Sequence, residues 1–323
     1  MLNLISIFYH EGLTLSRELF HGFFIFKQER KIKLQISQVR SREFWENAWK
    51  EARDNSPMVR RRCRIEQEMV DNWNRRAQWF ARRTSGARGE QRQKAVFDML
   101  EQQGVLNSEV KVLDVGAGPG NFAVPMARLV REVTALEPAQ EMIKIMEDRA
   151  STEELSNINI IQRTWQDINV EEDGLAGGFD LVFASMTPGV QDPETLQKLI
   201  AASKKYCYYS SFSGNRWSKA YHDLWRCFFN EDMGDNPGDI IYPLNLLYAL
   251  GYRPSLHFFT NRQVQEQPAA EAVEELLKFF WSYIDITSEV RQVVEEYVQK
   301  NVQDGILCQS TTVSYGMLLW RVD

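Results

Sequence analysis

Two periods of apolar residues alternate through the middle of the chain. Apolar runs of strand type stand at Val110–Val115, Glu132–Leu136, Ile158–Gln162, Phe179–Ala184 and Tyr206–Phe212. Between them lie stretches of helical spacing: Phe122–Val130 with Ala123, Met126, Ala127 and Val130 inward, Ala139–Asp148, and one capped by Asp192 with Pro193 in its first turn. Strand and helix in alternation predict an α/β protein with a doubly wound, mostly parallel sheet. Upstream, Ser41–Ala52 and Val59–Phe80 read as a helical cap, Ser85–Gly89 as a break, and Gln91–Gln103 as a helix closed by Gly104. Downstream, residues 213–250 read as an aromatic-rich helical insertion near the mouth of a site, with a turn at Gly234–Gly238. Tyr252–Phe259 and Thr311–Val322 read as late strands flanking helices at Glu271–Tyr283 and Ser288–Val302.

The chain is organised around Val110–Val124. Its strand reaches an acid, Asp114, and then Gly116, Ala117, Gly118, Gly120 and Asn121 before the next helix begins. Glycines at such a turn let backbone approach a ligand closely, and the free N–H groups of a helix start face it. A turn of this kind alone serves nicotinamide, flavin and other ligands alike, and the usual third glycine of the dinucleotide fingerprint is replaced by Asn121. Glu137, ahead of Pro138, ends the second strand where an acid meets ribose hydroxyls.

Leu-Asp-Val-Gly-Ala-Gly-Pro-Gly at 113–120, Val-Thr-Ala-Leu-Glu-Pro at 133–138 and Phe-Asp-Leu-Val-Phe-Ala-Ser at 179–185 together resemble the motifs of the class I S-adenosylmethionine-dependent methyltransferases, small-molecule branch. The resemblance runs over about residues 91–213. It implies a Rossmann-like, seven-stranded sheet with an antiparallel last strand in a catalytic domain over 91–323, the cap over 41–90 and a poorly packed tail or extra helix over 1–40. It further implies that the Gly116–Gly120 loop cradles the methionyl part of the cofactor, that Glu137 takes both ribose hydroxyls, and that Met142 packs near the adenine. Asp114 shapes the loop or reaches the cofactor amino group through water. The acid that commonly follows the third strand is absent: Arg163-Thr164-Trp165 stands there, leaving Thr164, the Trp165 ring or Asp167 as the adenine contact. Trp73–Phe80 resembles the helix that closes over the cofactor in many such enzymes, with Arg76 or Trp73 at the methionine carboxylate.

Methyl transfer from a sulfonium is a direct in-line displacement that needs no metal, so the protein supplies position and exclusion of water. A general base matters only for a protonated acceptor, and it belongs at the C-terminal edge of the sheet. Ser185 borders that edge, Met186, Thr187, Trp217 and Tyr221 form the acceptor side, and His222 is the candidate base by residue type. Ser185-Met186-Thr187-Pro188 replaces the Asn-Pro-Pro-Tyr type signature of exocyclic-amine methylation.

Composition adds limits. At 323 residues, 44% hydrophobic and 25% charged, the chain has the makings of an ordinary folded protein. Its four cysteines lie far apart, which favours neither a zinc site nor a disulfide framework and fits a reducing cytoplasm. Apolar clusters in 1–26 are broken by charges before a membrane span accumulates. Residues 1–94 hold 20 Lys and Arg against 11 Asp and Glu, and the remainder 18 against 33, giving the overall −6. The basic part, with Arg60–Arg64 near Trp73 and Trp79, fits either solvated helix faces or an RNA surface. A small-molecule acceptor is the expected partner. RNA or protein methylation through the basic region, and a non-catalytic cofactor-binding role, are the alternatives.

Overall fold

Seven strands build one sheet: β1 (Lys111–Val115), β2 (Glu132–Leu136), β3 (Ile158–Ile161), β4 (Phe179–Ser185), β5 (Ser203–Ser213), β6 (Ser255–Pro268) and β7 (Ile306–Arg321). The structure is a computed structural model and describes residues 40–323; the tail or extra helix expected over 1–40 lies outside the described residues apart from Arg40. Strand order is β3-β2-β1-β4-β5-β7-β6. β1 pairs in parallel with both β2 and β4, and β7 runs antiparallel between β5 and β6. The sheet is thus mostly parallel and doubly wound. Its chain reverses direction of winding at β1 and β4, which opens a crevice at their C-terminal ends.

β1 and β2 are buried from their second residue onward, as near-continuous apolar runs require when helices cover both faces. One face carries Leu113, Val182, Tyr209 and Trp320 against α1 (Arg42–Asp54), α7 (Pro193–Ala202) and α9 (Ile241–Ala249). The other carries Val112, Phe183, Tyr208 and Met317 against α4 (Ala87–Gln102) and α5 (Ala123–Ala127). A third apolar cluster is built mainly from helices: Met58 of α2 (Pro57–Arg60), Leu224 and Trp225 of α8 (Lys219–Phe229), Leu276 and Phe280 of α10 (Ala269–Phe280), and Val294 of α11 (Ser288–Asn301), with Leu307 of β7. Residues 41–90 are therefore shared out. Trp49 of α1 is buried on the sheet, whereas α3 (Glu66–Thr84) packs on α6 (Gln140–Thr152) through Val70, Trp73, Ala77, Phe80 and Met142.

Three elements differ from the periodicity. The helix expected over 59–80 is broken at 61–65, because that segment is tied to the end of α10: Cys63 N–H donates to Ser282 O, and the Arg64 guanidinium to Trp281 O. Tertiary partners outweigh local propensity there. The helix expected over 122–130 lasts only five residues, and Leu129 N–H turns back on Met126 O to reach β2. β6 and β7 outrun their expected lengths, pairing from Ser255–Leu319 out to Pro268–Ile306. Past Ser213–Ser314, where β5 stops, the pair is a two-stranded ribbon of polar sequence that carried no apolar period to read. Among the described residues no helix is long and apolar enough to cross a membrane.

Candidate functional site

The crevice is floored by the turn after β1. Gly116 and Ala117 N–H both donate to Leu136 O, fastening the turn to the end of β2. The glycines divide the work. A Cβ on Gly116 would lie 2.7 Å from Thr187 Cβ, and one on Gly120 would lie 2.7 Å from Met146 Cγ, so both positions are closed by protein. At Gly118, with φ +57°, an added Cβ meets nothing within 4 Å. Gly118 is the glycine that faces open space.

Glu137 stands beside it. Its carboxylate accepts the N–H of Gly118 and of Ala139, each at 2.9 Å, and the residue is only 7% exposed. Burial pushes its pKa up against the pull of those two bonds. Asp114, 3% exposed, is pushed up to about 8, first by burial and then by the Glu137 charge, with a bond from the Ala123 N–H opposing. One Asp114 oxygen, Oδ2, is buried without a hydrogen-bond partner. Two acids and an open glycine thus meet at adjacent strand ends.

The expected neighbours are distributed unequally. Asn121 braces the turn: its amide donates to Thr84 Oγ1 and accepts from Arg149, while its backbone carbonyl takes Gln93. Pro138 offers its carbonyl to Gln162 at 3.5 Å. Met142 is buried in the α3–α6 contact. Trp165 is 1% exposed, in the sheet core, with its indole N–H on Thr195 O, and anchors the loop after β3. Thr164 donates to the Asp167 carboxylate at 2.7 Å, which closes its own turn. Trp73 and Arg76 face one another from α3, the guanidinium 5.6 Å from the Trp73 ring and 5.0 Å from that of Trp79.

On the other side of the crevice, Ser185 and Ser210 hydroxyls lie 3.2 Å apart across β4 and β5. Met186 takes φ +56°, a strained value for a side chain of its kind, and its N–H donates to Ser210 O. Trp217, Tyr221 and Phe279 form an aromatic cluster with ring centroids 4.6–5.0 Å apart. Tyr221 reaches Glu275 at 3.5 Å, and Arg83 meets the same carboxylate at 3.7 Å, so α3, α8 and α10 close together over the sheet edge. His222 Nε2 lies 3.1 Å from the Asn215 amide, an exposed partner, and no group of the β4–β5 edge bonds it. Sequence reasoning passed over Arg92, Tyr208, Arg216 and Tyr315, which converge on this edge. The legible signal was a charged Arg92 on the same helical stripe as Val96 and Met99.

Comparison with known proteins places this geometry. Residues 112–207 match the family model described as a methyltransferase domain. An uncharacterized protein of Haemophilus influenzae is 26% identical over 227 residues, 70% of this chain and 81% of that protein. The 23S rRNA (uracil(1939)-C(5))-methyltransferase RlmD of Pseudomonas fluorescens is 31% identical over 104 residues, 32% of this chain and only 22% of the relative. Among solved structures, magnesium protoporphyrin IX methyltransferase from Synechocystis with bound S-adenosylhomocysteine matches at 15% identity and TM-score 0.46, over 62% of this chain and 93% of that one. The matched segment spans β1 to β5, the glycine turn and Glu137. The chain carries a methyltransferase domain of the class I, Rossmann-like type.

Proposed function

We propose that the chain methylates a small molecule held between the glycine turn and the helical roof. One observation carries this reading: three arginines of the basic run, Arg60, Arg61 and Arg64, are already paired with carboxylates. Arg60 and Arg61 pair with Glu231, and Arg64 pairs with Asp285 while donating to Trp281 O and Ile284 O. They tie α2 and the segment after it to the roof, and charges so paired contribute little to a phosphate-binding surface. The local similarity to an rRNA methyltransferase supports the competing reading, and it covers 32% of this chain.

The residues fit the cofactor: a buried acid at the end of β2, an unfilled space at Gly118, and an orphaned oxygen on Asp114. When bound, S-adenosylmethionine supplies an electrophilic methyl on a sulfonium. Glu137 would hold the ribose hydroxyls, the Gly118 backbone would approach the methionyl chain, and Arg76 would meet its carboxylate. Tyr208 is pushed up to about 12 by burial, and burial raises Tyr221 as well, so both keep their protons near neutrality. The chain's contribution is then position and dryness, with the roof excluding water from the reacting atoms. The test is a labelled-methyl assay on a panel of small acceptors and on ribosomal RNA. Transfer to a small acceptor supports the reading; transfer to RNA alone, with steep salt dependence, overturns it.

A further inference from the structure

Two guanidiniums lie under the roof with no anion to balance them. Arg216, in the link from β5 to α8, sits 4.0 Å over the Phe212 ring and 4.5 Å from that of Trp217, and its Nε is buried without a partner. Arg92, from α4, lies 5.4 Å over the Phe122 ring. Among the described residues neither makes an ion pair, in contrast to Arg53, Arg61, Arg64 and Arg163, which all reach carboxylates. Burial lowers the pKa of both, that of Arg216 to about 10, and the titratable groups facing them are tyrosines: Tyr208 and Tyr315 for Arg92, Tyr283 and Tyr315 for Arg216.

Their placement is as informative as their lack of partners. Tyr315 neighbours both guanidiniums and stands opposite Phe212 in the β5–β7 ladder, ring centroids 5.2 Å apart. Tyr208 lies four residues before Phe212 on the same face of β5, and its hydroxyl makes no hydrogen bond although Ser185, Ser210 and Arg92 are its polar neighbours. This is the edge next to Met186 and Thr187, whose side chain abuts Gly116. A half-buried cation without a counter-charge destabilises the empty fold, and an oxyanion bridging two guanidiniums through charge-assisted bonds offsets that cost. The surrounding rings of Phe122, Phe212, Trp217 and Tyr315 suit a flat apolar body.

We propose that Arg92 and Arg216 together grip an oxyanion of the methyl acceptor, which is a small molecule bearing a carboxylate or phosphate beside a planar apolar part. The proposal rests on the small-molecule reading above. It leaves Arg76, whose buried Nε also lacks a hydrogen-bond partner, to the methionine carboxylate of the cofactor.

The test titrates benzoate, phenyl phosphate and neutral benzamide into protein loaded with S-adenosylhomocysteine, read by tryptophan fluorescence and melting temperature. Saturable binding of benzoate or phenyl phosphate is expected, the stronger arm naming the oxyanion, with benzamide binding at least about tenfold more weakly. Arg92→Gln and Arg216→Gln should each weaken the oxyanion about tenfold or more, leave S-adenosylhomocysteine affinity within about twofold, and melt no lower than the parent without oxyanion. Equal binding of benzamide, or no response to either oxyanion, overturns the proposal. So does a large loss of S-adenosylhomocysteine affinity in the variants, which would give these arginines to the cofactor, or lower melting, which would make them partners within the fold. Failure of the parent protein to bind S-adenosylhomocysteine at all strikes the methyltransferase reading instead, and the same titration on the free protein still decides the arginine pair.

Discussion

Thr187 occupies the space that a side chain on Gly116 would need: an added Cβ would lie 2.7 Å from Thr187 Cβ. The turn after β1 and the loop after β4 are thereby locked together across the crevice. Gly116→Ala is expected to destabilise the protein by about 2–4 kcal/mol, from the clash and from φ +74°. Adding Thr187→Ala should recover the steric share and leave the backbone share. Urea unfolding of the single and double variants checks this, and no recovery would mean that Thr187 is not the obstacle.

Gly118→Ala behaves differently. Its Cβ enters empty space, so only the positive φ is penalised, at about 1–2 kcal/mol. The fold should persist while S-adenosylmethionine binding falls by about tenfold or more, since the methyl group intrudes where ligand meets backbone. Calorimetry showing parental affinity would place the cofactor elsewhere.

Asp114 is the pH-sensitive part. Its folded pKa is raised to about 8 from an ordinary value near 4. Between those values the unfolded chain has released a proton that the folded chain keeps, so the contribution to stability is full below about pH 4 and is lost as pH rises through about 8. Asp114→Asn should therefore raise the melting temperature, by an increment that grows from pH 5 to pH 8. An increment that is flat across this range would show that the carboxyl is ionised throughout.

Asp192 caps α7: it accepts the Thr195 N–H at 2.8 Å and Arg53 at 2.6 Å. Asp192→Ala should cost about 1–2 kcal/mol in denaturant unfolding. Asp192→Asn keeps the cap and should cost less than half as much. Equal losses would assign the stability to the ion pair.

Much of the sheet was legible because its central strands are buried on both faces and so read as apolar runs, and because the turn chemistry from Asp114 to Glu137 is local in sequence. What escaped was set by distant partners. Trp165 reads from sequence as a ligand wall or a core ring, and its bond to Thr195 O comes from a helix thirty residues away. The polar ribbon of β6 and β7 gave no period, and the break at 61–65 depends on Trp281 and Ser282. Arg92 and Arg216 lie more than a hundred residues apart, and Tyr315 on the last strand influences both. Acceptor chemistry is written in such long-range convergence, which no single stretch displays.

Glu137, beside the Gly118 N–H, is proposed as the ribose-binding acid of an S-adenosylmethionine site. Isothermal titration of S-adenosylmethionine into the parent protein and into Glu137→Ala, with folding checked by melting, tests it directly. The parent should bind and the variant should lose about 1–3 kcal/mol of binding free energy, the scale of hydrogen bonds to a charged group. Equal affinity in a folded variant would contradict the assignment.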